Sequence, residues 1–261
     1  MSDDRGTDVV RLDETGEVPV IEVTVAAPVE TVWPYLRDPQ LIRRWHGWEA
    51  DELDAEIKVI YLDTVVADDE NHVLTGTFPG PDGPVEADRF SLHPDGPDRT
   101  IVRITRGPRG IDPAWSAMYD DVTQGWISFL AQLRFAVDQH LGEDRRTVFV
   151  GAFTPGPPAL DLLGLSAASS GPIMLTGTDP PPVTGTTWFR APGQVGLFVP
   201  EYGPGLVVVA DKPGADPDTA AVSMVIVTTY GLTDAEHADV EQSWTAWWTA
   251  HHPAAEPQPA G

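Results

Sequence analysis

Along residues 18–25 the chain alternates so that Ile21, Val23 and Val25 share one side while Val18, Val20, Glu22 and Thr24 share the other. That period of two predicts a strand with one buried face. Pro28 then opens a short helix from the first-turn position, where its missing N–H is harmless, and Pro34 ends or kinks it. Asp38 followed by Pro39 supplies a second helix start that runs through Leu41 and Ile42 to Trp45. Strands are expected over residues 57–66, 72–78, 85–92 and 100–105. They are separated by Asp68-Asp69-Glu70-Asn71 and by two stretches dense in glycine, proline and aspartate, and such short connections suit antiparallel hairpins. From about Tyr119 or Asp121 the period lengthens to that of a helix. Its apolar stripe is Val122, Trp126, Phe129, Leu130, Leu133, Val137 and Leu141, and Gly142 is placed to stop it.

The plan then runs a second time. Strands are expected over residues 147–153, 186–190, 195–199, 206–211 and 221–230, with a short helix over 157–163 and a glycine-, serine- and proline-rich stretch over 164–185. Thr233-Asp234-Ala235-Glu236 is a capping box that opens a closing helix through Val240, Trp244, Trp247 and Trp248. The segment Val122-Thr123-Gln124-Gly125-Trp126 is echoed by Val240-Glu241-Gln242-Ser243-Trp244. The predicted organisation is an acidic tail over 1–16, a domain over 17–142, a shorter domain over 147–252 and a tail over 253–261. The fold class is α+β: tandem domains, each a curved antiparallel sheet wrapped around a long C-terminal helix.

The order of strand, two short helices, antiparallel strands and a closing helix resembles the helix-grip fold of the SRPBCC (START/Bet v 1-like) superfamily. Residues 18–142 look most like the domain named for the activator of Hsp90 ATPase. The likeness is carried by Ala27-Pro28-Val29-Glu30-Thr31-Val32-Trp33, Asp38-Pro39 with Leu41 and Trp45, the run from Asp98 to Thr105, and Gly125-Trp126 with Leu130 and Leu133. The chain departs from that group at Pro34 and in lacking a glycine pair after Trp48. Residues 147–252 look like a degenerate second copy. The resemblance implies a cavity between sheet and helix, used in different members for apolar ligands, for cyclase or dehydratase chemistry, or for co-chaperone work. Fold alone does not choose among these uses.

Composition narrows the choice. Of 261 residues, 41 % are hydrophobic, enough for real cores, and the formal net charge is −24. So negative a surface repels phosphate backbones and anionic headgroups, so neither nucleic acid nor membrane is an expected partner. The chain has no cysteine, which removes thiolate nucleophiles and cysteine metal sites. No signal-peptide pattern or long apolar run is visible, and a cytoplasmic protein is expected.

The aromatic set Trp45, Tyr61, Phe78, Phe90, Tyr119, Trp126 and Phe129 is the candidate ligand-binding lining, set against the plainer reading that these rings fill a core. His46, His72 and His93 are the proton-exchanging candidates. His72 and His93 follow charged or turn residues and are expected at the surface, and His46 sits at a helix end. No serine elbow, phosphate loop or metal-ligand spacing stands out, so no catalytic residue, metal or cofactor is assigned. The expected function is non-catalytic binding of a small apolar or amphipathic molecule by the first domain. The alternatives are a co-chaperone or protein-binding adaptor, and a cyclase- or dehydratase-like enzyme. Because Trp247 and Trp248 cannot share one narrow helix face, one of them is a candidate contact between domains or with a protein partner.

Overall fold

The computed structural model describes residues 10–13, 19–80, 83–107, 113–151, 156–166, 173–175, 183–212 and 222–252. The chain divides into two compact units: Met1–Arg145 with Phe189–Ala191, and Arg146–Trp188 with Pro192–Gly261. Each is an antiparallel sheet followed by a closing helix, as the alternating and then helical patterns require. This is the tandem helix-grip architecture.

In the first unit the strands are β1 (Val10–Asp13), β2 (Val20–Val25), β3 (Val65–Asp68), β4 (Val73–Gly80), β5 (Gly83–Pro94) and β6 (Thr100–Thr105). They lie in the order β1-β2-β6-β5-β4-β3, so β2 pairs with both β1 and the last strand, β6, and β3 to β6 form a meander. Ile21, Val23 and Val25 on β2 are buried, as the alternation predicted. β1 lies within the stretch expected to be a tail and pairs in register with β2 (Val10 opposite Val23).

The short helices are α1 (Val29–Val32), α2 (Pro39–Ile42) and α3 (Leu53–Lys58). The Asp38 side chain caps α2 by accepting from the Gln40 N–H at 2.9 Å. The long helix α4 (Pro113–Gln139) begins several residues before the expected start. Trp126, Leu130, Leu133 and Val137 are buried along it, whereas Val122 and Leu141, placed on the same stripe from sequence, are exposed. Thr123, Ile127 and Ala131 are buried in their place. The buried face is thus rotated by roughly one residue at the start of the stripe. Gly142 turns the chain at φ +84°, the left-handed stop expected of it.

The strand expected over residues 57–66 is mostly not a strand. Residues 53–58 form α3, Val59–Asp63 continue it as a wider π-type turn, and only Val65–Asp68 pair as β3. The reason is visible in the burial. Leu53, Ile57 and Tyr61 are all buried at intervals of four, a spacing that satisfies a helical face as well as an alternating one.

In the second sheet, β7 (Arg145–Gly151), β8 (Ile173–Leu175), β9 (Val183–Ala191), β10 (Gln194–Val199), β11 (Gly205–Lys212) and β12 (Val222–Tyr230) follow the order β7-β12-β11-β10-β9-β8. The short helix α5 is Ala159–Leu162 and the closing helix α6 is Asp234–His251. Thr233 and Glu236 form the predicted capping box at its start. Trp244 and Trp247 sit at 0 % exposure in a core of valine and leucine from the sheet. Trp247 is therefore core, and Trp248 packs against the same core, stacked on His252 at 3.9 Å.

Candidate functional site

Two polar clusters lie inside the first unit, and the fold delivers each from a different direction. The first grows from the end of α2. The chain makes one more turn, with the N–H groups of Trp45 and His46 both reaching the Ile42 carbonyl, and then swings away at Gly47, whose φ of +57° suits glycine. That swing buries His46 completely. Its Nδ1 lies 3.0 Å from the Tyr61 hydroxyl and its Nε2 lies 3.2 Å from a Glu56 carboxylate oxygen. Because α3 widens into the π-type turn, Tyr61 falls on the same inward stripe as Leu53 and Ile57. Glu56, one residue earlier on the helix, stays half exposed. The result is a continuous chain from phenol through imidazole to carboxylate, buried at one end and wet at the other.

The Arg145 guanidinium holds the turn that carries His46. It donates to the carbonyl oxygens of Arg43, His46 and Gly47 at 3.0, 2.5 and 3.1 Å, and to the Gln132 side-chain oxygen at 2.8 Å. Burial drives the His46 pKa below the ordinary imidazole value, against the pull of Glu56, and the Arg145 charge adds to the lowering. At pH 7 and above His46 is therefore neutral. The hydrogen bond from His46 holds the Glu56 carboxyl below its ordinary range. Complete burial, with the Glu56 charge nearby, pushes the Tyr61 phenol well above its ordinary value.

Aromatic rings surround this chain. Trp45, Tyr61, Trp126 and Phe129 all pack on the His46 ring, Phe129 most closely at 4.7 Å between centroids. Phe90 packs edge-on against Trp126 at 5.1 Å and lies 5.7 Å from Tyr61. Five of the seven rings proposed from sequence thus meet in one place. Phe129 alone among them is only partly buried. Trp45 is the most structural of the set, at 0 % exposure with its indole N–H donated to the Tyr35 carbonyl at 2.8 Å. The side chain of Phe78 lies outside the described residues.

The second cluster comes from the sheet. The inward phase of β6, Thr100, Val102 and Ile104, continues one step past the strand to Arg106, which is buried. On β5, Asp88 lies at a register irregularity between Thr75 and Thr77 of the neighbouring strand, where a bulge can re-aim a side chain. Its carboxylate accepts from the Trp126 indole at 2.9 Å and the Gly107 N–H at 3.0 Å, and pairs with Arg106. The Arg106 guanidinium lies 4.4 Å over the Tyr119 ring. Tyr119 thus belongs to this clamp, with its hydroxyl donated to the Gly107 carbonyl at 2.8 Å. Trp126 joins the two clusters, since its ring touches His46 while its N–H is fixed by Asp88.

The other histidine candidates stand apart. His93 is exposed, and His72 lies edge-on to Trp33 at 5.3 Å. Among the described residues no three metal-ligating side chains come together, and no helix is long and apolar enough to cross a membrane. The hydrophobic core of the second unit packs valine, leucine and tryptophan, and its buried polar contacts include Trp244 donating to the Tyr202 hydroxyl at 3.1 Å and Thr229 with His237 at 3.0 Å.

No family model and no curated protein matches the chain. Among solved structures it is similar to DynU16, a protein of the dynemicin biosynthetic locus. The two are 16 % identical with a TM-score of 0.32 over 90 % of this chain and 98 % of that one. It is also similar to the di-domain ARO/CYC protein BexL of the BE-7585A biosynthetic pathway, at 12 % identity and a TM-score of 0.36 over 92 % and 99 % of the two chains. CalU16 from Micromonospora echinospora matches 51 % of this chain with 73 % of its own, at 20 % identity and a TM-score of 0.34.

Proposed function

We propose that the first unit binds a small, largely apolar aromatic molecule against the rings of Phe129, Trp126 and Phe90, with Tyr61 as its polar anchor. The observation that carries this reading is the Tyr61–His46–Glu56 chain. Replacing a buried charged network by apolar side chains of similar volume is often neutral or stabilising, so core packing alone does not call for one. An ionisable group with a shifted pKa, set among aromatic walls, is instead a feature of sites that handle ligands. Phe129 is the ring a ligand meets first, because it is the partly exposed member of the cluster. Its ring packs directly on His46, at 4.7 Å between centroids.

The same chain favours a cyclase- or dehydratase-like enzyme as the second reading, since it joins a buried hydroxyl to a half-exposed carboxylate through a proton-exchanging ring. A co-chaperone role, and with it the narrower likeness to the Hsp90-activator domain, has no comparable observation behind it. The second unit, with its apolar core, is read as a reduced copy that does not share the site.

The test uses N-phenyl-1-naphthylamine, a neutral aromatic probe, titrated into the full chain. Saturable one-to-one binding that quenches tryptophan emission is expected, and Phe129→Ala should weaken it at least threefold without unfolding the protein. Absence of saturable binding by the wild-type chain would remove the binding reading.

A further inference from the structure

Tyr61 has one proton to give and two lone pairs to offer, and the surrounding groups decide which of these a ligand can use. Glu56 is a carboxylate and only accepts, so the His46 nitrogen facing it at 3.2 Å, Nε2, must carry the hydrogen. A neutral imidazole then has a bare lone pair on Nδ1. The Tyr61 oxygen, 3.0 Å from Nδ1, must therefore donate its proton to that lone pair. His46 is held in this orientation by its turn: Arg145 binds the carbonyl oxygens of Arg43, His46 and Gly47. The phenol proton is committed, and what faces the aromatic interior is the acceptor side of the Tyr61 oxygen.

We propose that Tyr61 meets its ligand as a hydrogen-bond acceptor, so that the first unit selects aromatic molecules bearing a free hydroxyl over those whose oxygens are ether or carbonyl only. This rests on the reading of the first unit as a binding unit and adds the chemistry of its ligand. A hydroxyl group placed at Tyr61 finds an acceptor made more basic by the donation to His46. A bare carbonyl or ether there would set two lone-pair-bearing oxygens against each other in a site that water cannot rescue. Glu56 touches no ligand and acts as a positioning residue, because its charge fixes which His46 nitrogen is protonated. A neutral amide at that position can donate to Nε2. His46 could then carry its hydrogen on Nδ1 and return the phenol proton to the interior.

The experiment compares 2-naphthol with 2-methoxynaphthalene, which share the ring system and differ in the O–H, by tryptophan quenching on the full chain. Wild type should bind 2-naphthol roughly three- to tenfold more tightly, the range for one neutral hydrogen bond. Tyr61→Phe should lose that preference while still binding 2-methoxynaphthalene. Glu56→Gln, a nearly isosteric change at a half-exposed site, should also erase or invert it. Equal affinities in wild type, or a preference that survives Tyr61→Phe, would overturn the acceptor assignment and leave the binding reading standing. Failure of both compounds to bind would overturn both.

Discussion

His46 is bonded at each ring nitrogen to a partner of different character, a carboxylate on one side and a phenol on the other, and that asymmetry fixes its proton. Trp126 shows a similar division of labour: the face of its indole packs on His46 and Phe90, while its N–H is held by Asp88. Removing the ring leaves a cavity and strands part of the Asp88–Arg106 pair. Trp126→Ala should therefore cost about 3–5 kcal/mol in the first unit, read as a shift in the urea midpoint of its unfolding. A loss under about 1 kcal/mol would mean the ring is not packed as described. Trp126, Phe90 and Phe129 could be picked out of the sequence because large rings on a periodic stripe must face a core. The role of His46 was not legible, since neither partner lies at a spacing that advertises contact. Tyr61 is fifteen positions away and Glu56 ten, joined only by how α3 folds back.

At the scale of elements, strong local chemistry was readable and balanced local chemistry was not. The Thr233–Glu236 box begins α6 where its side chains demand, with the Thr233 N–H donated to Glu236 at 2.8 Å. Thr233→Ala should cost about 1 kcal/mol, seen as a lower unfolding midpoint of the second unit. No measurable change would show that the cap is not formed in solution. By contrast, residues 53–63 carry apolar side chains at intervals of four, and such a run suits either period until tertiary contacts choose. The surrounding Asp54, Ala55, Glu56 and Lys58 include good helix formers, and the helix won. That choice matters for the site, because a strand would have placed Glu56 and Tyr61 on opposite faces. The start of the α4 stripe was missed for a related reason. Val122 is apolar but exposed, while Thr123, which donates to the Tyr119 carbonyl at 2.8 Å, is the buried neighbour.

On the scale of the whole molecule, the repeated order of strands and closing helix was legible because each half must bury one sheet face against one helix, and only a long amphipathic helix supplies that. The extra pairing of β1 was not legible: four residues in an acidic stretch give too short a pattern to separate from a tail. The two halves differ in what they enclose. One holds a phenol–imidazole–carboxylate chain that runs from the interior to the surface, and the other packs tryptophan, valine and leucine between sheet and helix. The functional account therefore depends on the protonation of one ring. For a histidine whose pKa is lowered by folding, the native ring stays neutral while the unfolded one charges below about pH 6.5. Its share of stability is present above that value and is lost as pH falls toward the native pKa. Glu56, also lowered, acts in the same direction at lower pH. The direct measurement is long-range proton–nitrogen NMR of the His46 ring between pH 7 and pH 5. The account predicts a neutral ring with its hydrogen on Nε2 at pH 7, charging only below the ordinary imidazole value. A hydrogen on Nδ1, or an imidazolium that forms near pH 6.5, would contradict it.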